Sequence, residues 1–316
     1  MTENRTPIQP AHPRTSHPFA WQGWRLVLPV KWNPVKLDGG YDAGSVIFAD
    51  LHRIRLGMRW KKMGGRSYKP EKWTQAMLSE SIGNLAAAEA RPIELRHAEF
   101  HAAMLYTEPS PPGRDVFVAY SPVSGRMIEL AYHTRRREHA LASVVCPTLL
   151  DQSPERAMRW SVFDLSCIVP EGMRLESHTL NAGDLSLTFA DGKRRITVRQ
   201  VAVAELALKR MPIEKWLADQ EKTLAGQYAA RGRPEATEYR VDGRILRGVA
   251  RTLRRRLRYF WQRSLTPQWQ TMALHDVKRD RLILLQATDG ELAEQVLRSI
   301  GWAADYVPVE VHIPRD

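Results

Sequence analysis

The sequence predicts an α+β fold built twice over: two tandem copies of an antiparallel sheet domain, each flanked by helices. Three observations predict it. Landmarks recur at a near-constant offset, apolar and polar residues alternate with the period of two that a one-faced strand requires, and a Pro-led helix opens at the same place in each half.

The recurrence is plainest between "YDAGSVIFADLHRIRLGMRW" (41–60) and "NAGDLSLTFADGKRRITVRQ" (181–200). Pro29 and Pro170 stand 141 residues apart, as do Phe48 and Phe189, and Asp50 and Asp191. The offset grows to 143 between Trp73 and Trp216 and to 155 between Arg126 and Arg281. Insertions therefore fall between elements, where loops absorb them.

Each element has its own physical reason. Leu185, Leu187 and Phe189 alternate with hydroxyl-bearing residues, Asp191-Gly192 supplies a turn, and "RRITVRQVAV" resumes the alternation, which is a hairpin. Pro70 and Pro212 sit where a helix starts without losing a needed N–H. Trp216, Leu217, Gln220, Leu224 and Tyr228 then share one helical face, and Trp73, Met77, Ile82, Leu85 and Ala86 mark a rougher stripe in the first half. Closing helices are expected over 136–150, with Leu141, Val144 and Val145 inward, and over 291–302, with Leu292, Val296, Leu297 and Ile300 inward. The expected organisation is a disordered N-terminal arm (1–18), a first repeat (19–150), a second repeat (159–302) and an extended C-terminal tail (303–316).

The aromatic-x-Leu openings that lead to Pro29 and Pro170, the later Pro-Glu-Lys-Trp and Pro-Ile-Glu-Lys-Trp helices, and the order of parts over 20–302 resemble the PsbP-like fold family. That family includes an extrinsic photosystem II subunit, a nuclear-import factor and several bacterial proteins of unknown role. The resemblance implies an α/β/α sandwich in each half and, because members share no one chemistry, an accessory or binding role.

Composition sets wider bounds. With 316 residues, 43% of them hydrophobic and 26% charged, the chain has enough apolar content for two cores of ordinary size. No apolar run approaches the roughly 18 residues of a membrane span, and residues 1–17 lack the apolar core of a secretion signal. A soluble, cytoplasmic protein is the expectation. Cys146 and Cys167 read as small buried apolar residues, too few for a disulfide framework or a structural zinc site.

No catalytic arrangement emerges. "HAEFH" (97–101) spaces two histidines for zinc on a helix, but the repeat assigns this stretch to strand, and Glu99 is one residue late for a zinc-protease signature. His275-Asp276 lies at a hairpin end, where neighbouring side chains point to opposite faces. There is no nucleophile elbow, phosphate loop or dinucleotide fingerprint. The expectation is a non-enzyme with no cofactor and no metal. The tryptophans, most of them at repeat landmarks, read as core.

Charge is the stronger functional signal. The formal net charge is +12, and residues 231–263 hold eleven arginines against Glu235, Glu238 and Asp242. Within "RTLRRRLRYFWQR", Arg251, Arg254, Arg255, Arg256, Arg258, Tyr259 and Trp261 form the candidate binding site. On a strand they would offer guanidinium groups to phosphates and rings to bases. The plainer reading sends Leu253 and Leu257 inward and leaves the arginines as a solvated face guarding a sheet edge. Overall arginine preference, 36 Arg against 11 Lys, makes such clusters easier to form. The tail, alternating Val307, Val309, Val311 and Ile313, is suited to pairing with an exposed edge. The leading functional expectation is an accessory or assembly protein that binds a protein partner through its paired domains. Nucleic-acid or other polyanion binding through 244–263 is the alternative.

Overall fold

The computed structural model describes residues 16–64, 69–82, 93–97, 99–107, 114–133, 145–241, 243–262, 264–301 and 311–312. The chain divides into two compact units: unit 1 comprises Met1–Ser153, Ser161–Phe163 and Ala303–Asp316, and unit 2 comprises Pro154–Trp160 and Asp164–Trp302.

Unit 1 opens with the hairpin β1 (Ser16–Trp21) and β2 (Trp24–Pro29), so residues 16–18 are strand rather than arm. There follow β3 (Asn33–Gly39), β4 (Ala43–Ala49), β5 (Ile54–Lys62), α1 (Pro70–Ile82), β6 (Ile93–His97), β7 (His101–Thr107), β8 (Arg114–Ser121), β9 (Arg126–His133), a 3-10 turn at Cys146–Thr148 and β10 (Leu150–Asp151). The main sheet runs β3-β4-β5-β9-β8-β7-β6. One face is sealed by α1, where Leu78 packs with Tyr106, Val116, Val118, Met127 and Ala131. Over the other face lies strand: Phe19 of β1 meets Phe48 of β4 edge-on with ring centroids 4.8 Å apart.

Unit 2 uses β11 (Met158–Val162, its last two residues grouped with unit 1), β12 (Leu165–Val169), β13 (Arg174–Asn181), β14 (Asp184–Asp191) and β15 (Arg194–Ala202). It continues through α2 (Ala204–Arg210), α3 (Ile213–Gln220), a 3-10 turn at Glu221–Thr223, β16 (Tyr228–Ala230), β17 (Glu235–Val241), β18 (Arg244–Arg255), β19 (Gln268–Asp276), β20 (Arg281–Ala287) and α4 (Gly290–Arg298). The sheet order is β13-β14-β15-β20-β19-β18, with β16 and β17 side by side along the outer edge of β18. On one face, Ala204, Trp216 and Leu217 pack on Val249, Ala273, Leu282 and Leu284. On the other, α4 buries Leu292, Ala293, Val296 and Leu297, and Ser299 just after it ties to β12 by accepting the Ile168 N–H at 2.7 Å. Asp289 caps α4 by accepting the Leu292 N–H at 2.7 Å, which satisfies one of its unpaired N-terminal donors. The last described strand, β21 (Val311–His312), returns to unit 1 and pairs antiparallel with His97 and Arg96 of β6.

The α/β/α sandwich expected from the sequence is therefore wrong. The fold is mostly β, with three antiparallel sheets of five, eight and eight strands and only four α-helices among the described residues. In unit 1 the β1–β2 hairpin itself covers sheet, with its Phe19, Trp24, Leu26 and Leu28 at most 1% exposed. Strands alternate inward and outward, so a hairpin presents as good an apolar face to a sheet as a helix does. Of the expected closing helix over 136–150, residues 136–144 lie outside the described residues and Cys146–Thr148 is a 3-10 turn.

Within the two main sheets, registers run in parallel. Pro34 pairs with Phe48 and Leu175 with Phe189, each followed by a bulge, before Lys36 and before Ser177. The hairpin ends Ser121/Arg126 and Asp276/Arg281 pair in the same way. At the predicted Asp191-Gly192 turn, Gly192 has φ +57°, a backbone region where a side chain is strained.

Both cysteines are buried and free, and burial pushes each thiol up to about 12. Since the thiolate is the reactive form, neither should be labelled by a thiol reagent in the native protein, whereas two equivalents should react after denaturation. Rapid labelling of the native protein would show that one of them is accessible.

Candidate functional site

Leu253, on β18, points inward at 3% exposure, but the strand stops at Arg255 and the inward alternation stops with it. Leu257 is 88% exposed, contrary to the sequence expectation, because the chain bends into a 3-10 turn at Leu257–Tyr259. Nor is β18 an edge: β19 flanks one side, and β17 and β16 flank the other. Its arginines therefore have no edge to guard.

What bends the chain is the arginines themselves. The Arg255 guanidinium donates to the carbonyl oxygens of Gln262 (3.0 Å) and Leu265 (2.9 Å), closing the loop from within. Arg256 Nε reaches the carbonyls of Ala225 and Tyr228, both at 3.2 Å, and Arg258 donates to the Gly226 carbonyl at 2.9 Å. Arg255 lies 5.6 Å from the Phe260 ring and Arg258 lies 4.8 Å from that of Tyr259, within cation–π range. Backbone bonds finish the turn, from Tyr259 N–H to Arg256 O (2.9 Å) and from Gln262 N–H to Tyr259 O (3.0 Å).

The result is a braced tip with an apolar crown. Leu257 (88%), Phe260 (60%) and Trp261 (87%) face solvent, and the Phe260 and Trp261 rings meet edge-on at 5.8 Å. Its base is the cluster of Tyr228, Leu253 and Trp269, with the Tyr228 hydroxyl donating to the Thr266 carbonyl at 3.1 Å.

The structure thus separates the seven predicted residues. Arg254 is exposed, and Trp261 crowns the tip. Arg255, Arg256, Arg258 and Tyr259 brace it. Arg251 is drawn inward: its Nε donates to Glu221 at 2.9 Å, its Nη2 bonds the other Glu221 oxygen, and burial lowers the guanidinium pKa from its ordinary value without discharging it. Sequence reasoning missed the exposure of Leu257 and the role of Glu221. A signal for the tip was present in the offset that jumps from 143 to 155. Thr107 pairs with Asp115 in unit 1 and Thr252 with Gln270 in unit 2, so most of the added chain lies in this excursion.

In the candidate metal motif, His97 has local partners. His97 Nδ1 accepts the Glu99 N–H at 3.1 Å, which leaves Nε2 as the donor to the Cys146 carbonyl at 3.1 Å, so neither nitrogen offers a lone pair to a metal. Burial lowers the His97 pKa, keeping the ring neutral. Among the described residues no group of three His, Cys, Asp or Glu is arranged to hold a metal ion. In the same set, no helix is long and apolar enough to cross a membrane.

No protein-family model matches the chain, and neither does any curated protein. Among solved structures, similarity is found to the immunity protein TplEi of the T6SS from Pseudomonas aeruginosa. In its complex with "L" peptide it is 12% identical, with 90% of this chain and 97% of that one covered and a TM-score of 0.33. In its apo form it is also 12% identical, with 91% and 96% covered and a TM-score of 0.31. Likeness at this level fixes neither fold nor function.

Proposed function

We propose that this is a non-enzymatic accessory or assembly protein, made of two duplicated β-rich units, that grips a protein partner with the tip at 256–262. One observation carries the reading: Leu257, Phe260 and Trp261 are exposed at the tip, while the exposed Arg256 and Arg258, and Arg255 at its base, already donate to backbone carbonyls. Trp, Tyr and Arg are the residues that dominate protein interfaces, and a rigid aromatic projection loses little entropy when it is buried by a partner. The partner surface that fits is an apolar cleft with a carboxylate rim, since Arg231, Arg233 and Arg254 are exposed nearby and the chain is strongly basic.

Polyanion binding is favoured less. A guanidinium already donating to a carbonyl must give up that bond before it can serve a phosphate, and Arg251 is committed to Glu221. Duplication is supported by the matched sheet orders and by bulges at the same place in each sheet.

The test is to recover the tagged protein from its own cells with and without nuclease, alongside a nucleic-acid titration at physiological salt. Co-purification of a defined protein that survives nuclease is the expected result. Submicromolar nucleic-acid binding, abolished when Arg254, Arg256 and Arg258 are replaced, would instead establish the polyanion reading.

A further inference from the structure

Counting from the helix-opening tryptophans Trp73 and Trp216, Leu78 of unit 1 and Glu221 of unit 2 fall at the same place. Sheet register matches their neighbours: Tyr106 pairs with Val116 as Arg251 pairs with Thr271. From the aligned hairpin ends, Ala131 corresponds to Gln286. In unit 1 these positions form an apolar cluster of Leu78, Tyr106, Val116 and Ala131. In unit 2 they hold Glu221, Arg251, Thr271 and Gln286, with Glu221 4%, Thr271 0% and Gln286 8% exposed. Glu221 receives Arg251 through both carboxylate oxygens and the Thr271 hydroxyl, and Gln286 donates to the Gln220 carbonyl at 3.4 Å.

A buried ion pair seldom stabilises a fold more than apolar packing of the same volume, so stability does not account for the exchange. Orientation does. From Glu221 the chain runs through a tight turn, its carbonyl accepting Leu224 N–H (2.9 Å) and Ala225 N–H (3.0 Å), to the carbonyls of Ala225, Gly226 and Tyr228. Those carbonyls are the ones that Arg256 and Arg258 hold. A leucine in place of Glu221 would fill the same space but would accept no hydrogen bond to fix the register of the turn.

We propose that Glu221 is the positioning residue of the tip: its buried bonds to Arg251 and Thr271 fix the 221–228 segment, which in turn fixes the arginines that brace Leu257, Phe260 and Trp261. The proposal rests on the tip being the binding site, but its test does not need a partner. In the full-length protein, Glu221→Leu/Arg251→Tyr/Thr271→Val installs the side chains of the matched unit 1 positions. Hydrogen exchange of amides 256–262 should accelerate at least tenfold, while β14 and β15 exchange as before and the melting temperature holds or rises. Unchanged exchange in a folded variant would overturn the proposal. If the triple variant does not fold, Glu221→Gln, which keeps the shape and removes the charge, should speed the same amides severalfold, and no change there would overturn it equally. Failure of the tip as a binding site is read separately, from a Trp261 variant that keeps its partner.

Discussion

Replacing Arg126 with Leu should destabilise unit 1 by about 3–5 kcal/mol, the usual cost of leaving one member of a buried ion pair alone. Both Arg126 and its partner Asp151 are withdrawn from solvent, with side chains 0% and 1% exposed. The guanidinium also donates to Ser124 Oγ (2.8 Å) and to the carbonyls of Gln22 (2.7 Å) and Tyr41 (2.6 Å), and it lies over the rings of Trp24 (4.4 Å) and Tyr41 (3.9 Å). Leu cannot replace any of these bonds, and Asp151 would remain buried without its cation. The fall in melting temperature should be roughly 10 °C or more. Removing both charges, as Arg126→Leu/Asp151→Leu, should recover part of the loss. A single variant that melts within a degree or two of the parent would refute the account, as would a double variant worse than the sum of the singles.

Trp261→Ala should weaken the partner complex by about 2–4 kcal/mol, roughly 30- to 1,000-fold in Kd, as truncation of a central aromatic anchor does. Being 87% exposed, Trp261 contributes little to the fold, so the unfolding midpoint should move by no more than about 0.5 kcal/mol equivalent. Arg254→Ala should act differently, changing mainly the association rate and its salt dependence, because an exposed rim charge steers more than it holds. A calorimetric titration of the captured partner against both variants separates the two effects. Equal and small losses from both would place the contact elsewhere on the molecule.

Much of the strand pattern was legible in the sequence. Period-two alternation around Phe48 and Phe189 identifies strands that each lie second from the edge of their sheets, and Trp73 and Trp216 lie on helices that pack on sheets. The layering was not legible, because Phe19, Trp24 and Leu26 say only that a face is buried, and strand and helix serve a sheet equally as cover. The arginine cluster was legible in the sequence, but the carbonyls that Arg255, Arg256 and Arg258 hold were not. Alternation places a residue inward or outward only while the strand lasts, and nothing in "RRRLRYFWQR" states that the strand ends at Arg255. Glu221 was invisible for a different reason. Its partners Arg251 and Thr271 lie 30 and 50 residues away along the chain, and only the sheet register brings them together.

The length of β18 has a mechanical consequence. Twelve residues run without a break from Arg244, anchored to Asp276 (2.6 Å) and the Ile300 carbonyl (2.9 Å), to the base of the tip at Arg255. Along the way the strand is bonded on both sides, to β19 and to β17 and then β16. Antiparallel hydrogen bonds stand across the strand, so tension applied by a partner at Trp261 along the strand axis loads many of them together instead of opening them one at a time. The tip is thus mounted on a strand that resists in shear, the geometry suited to holding a partner under load.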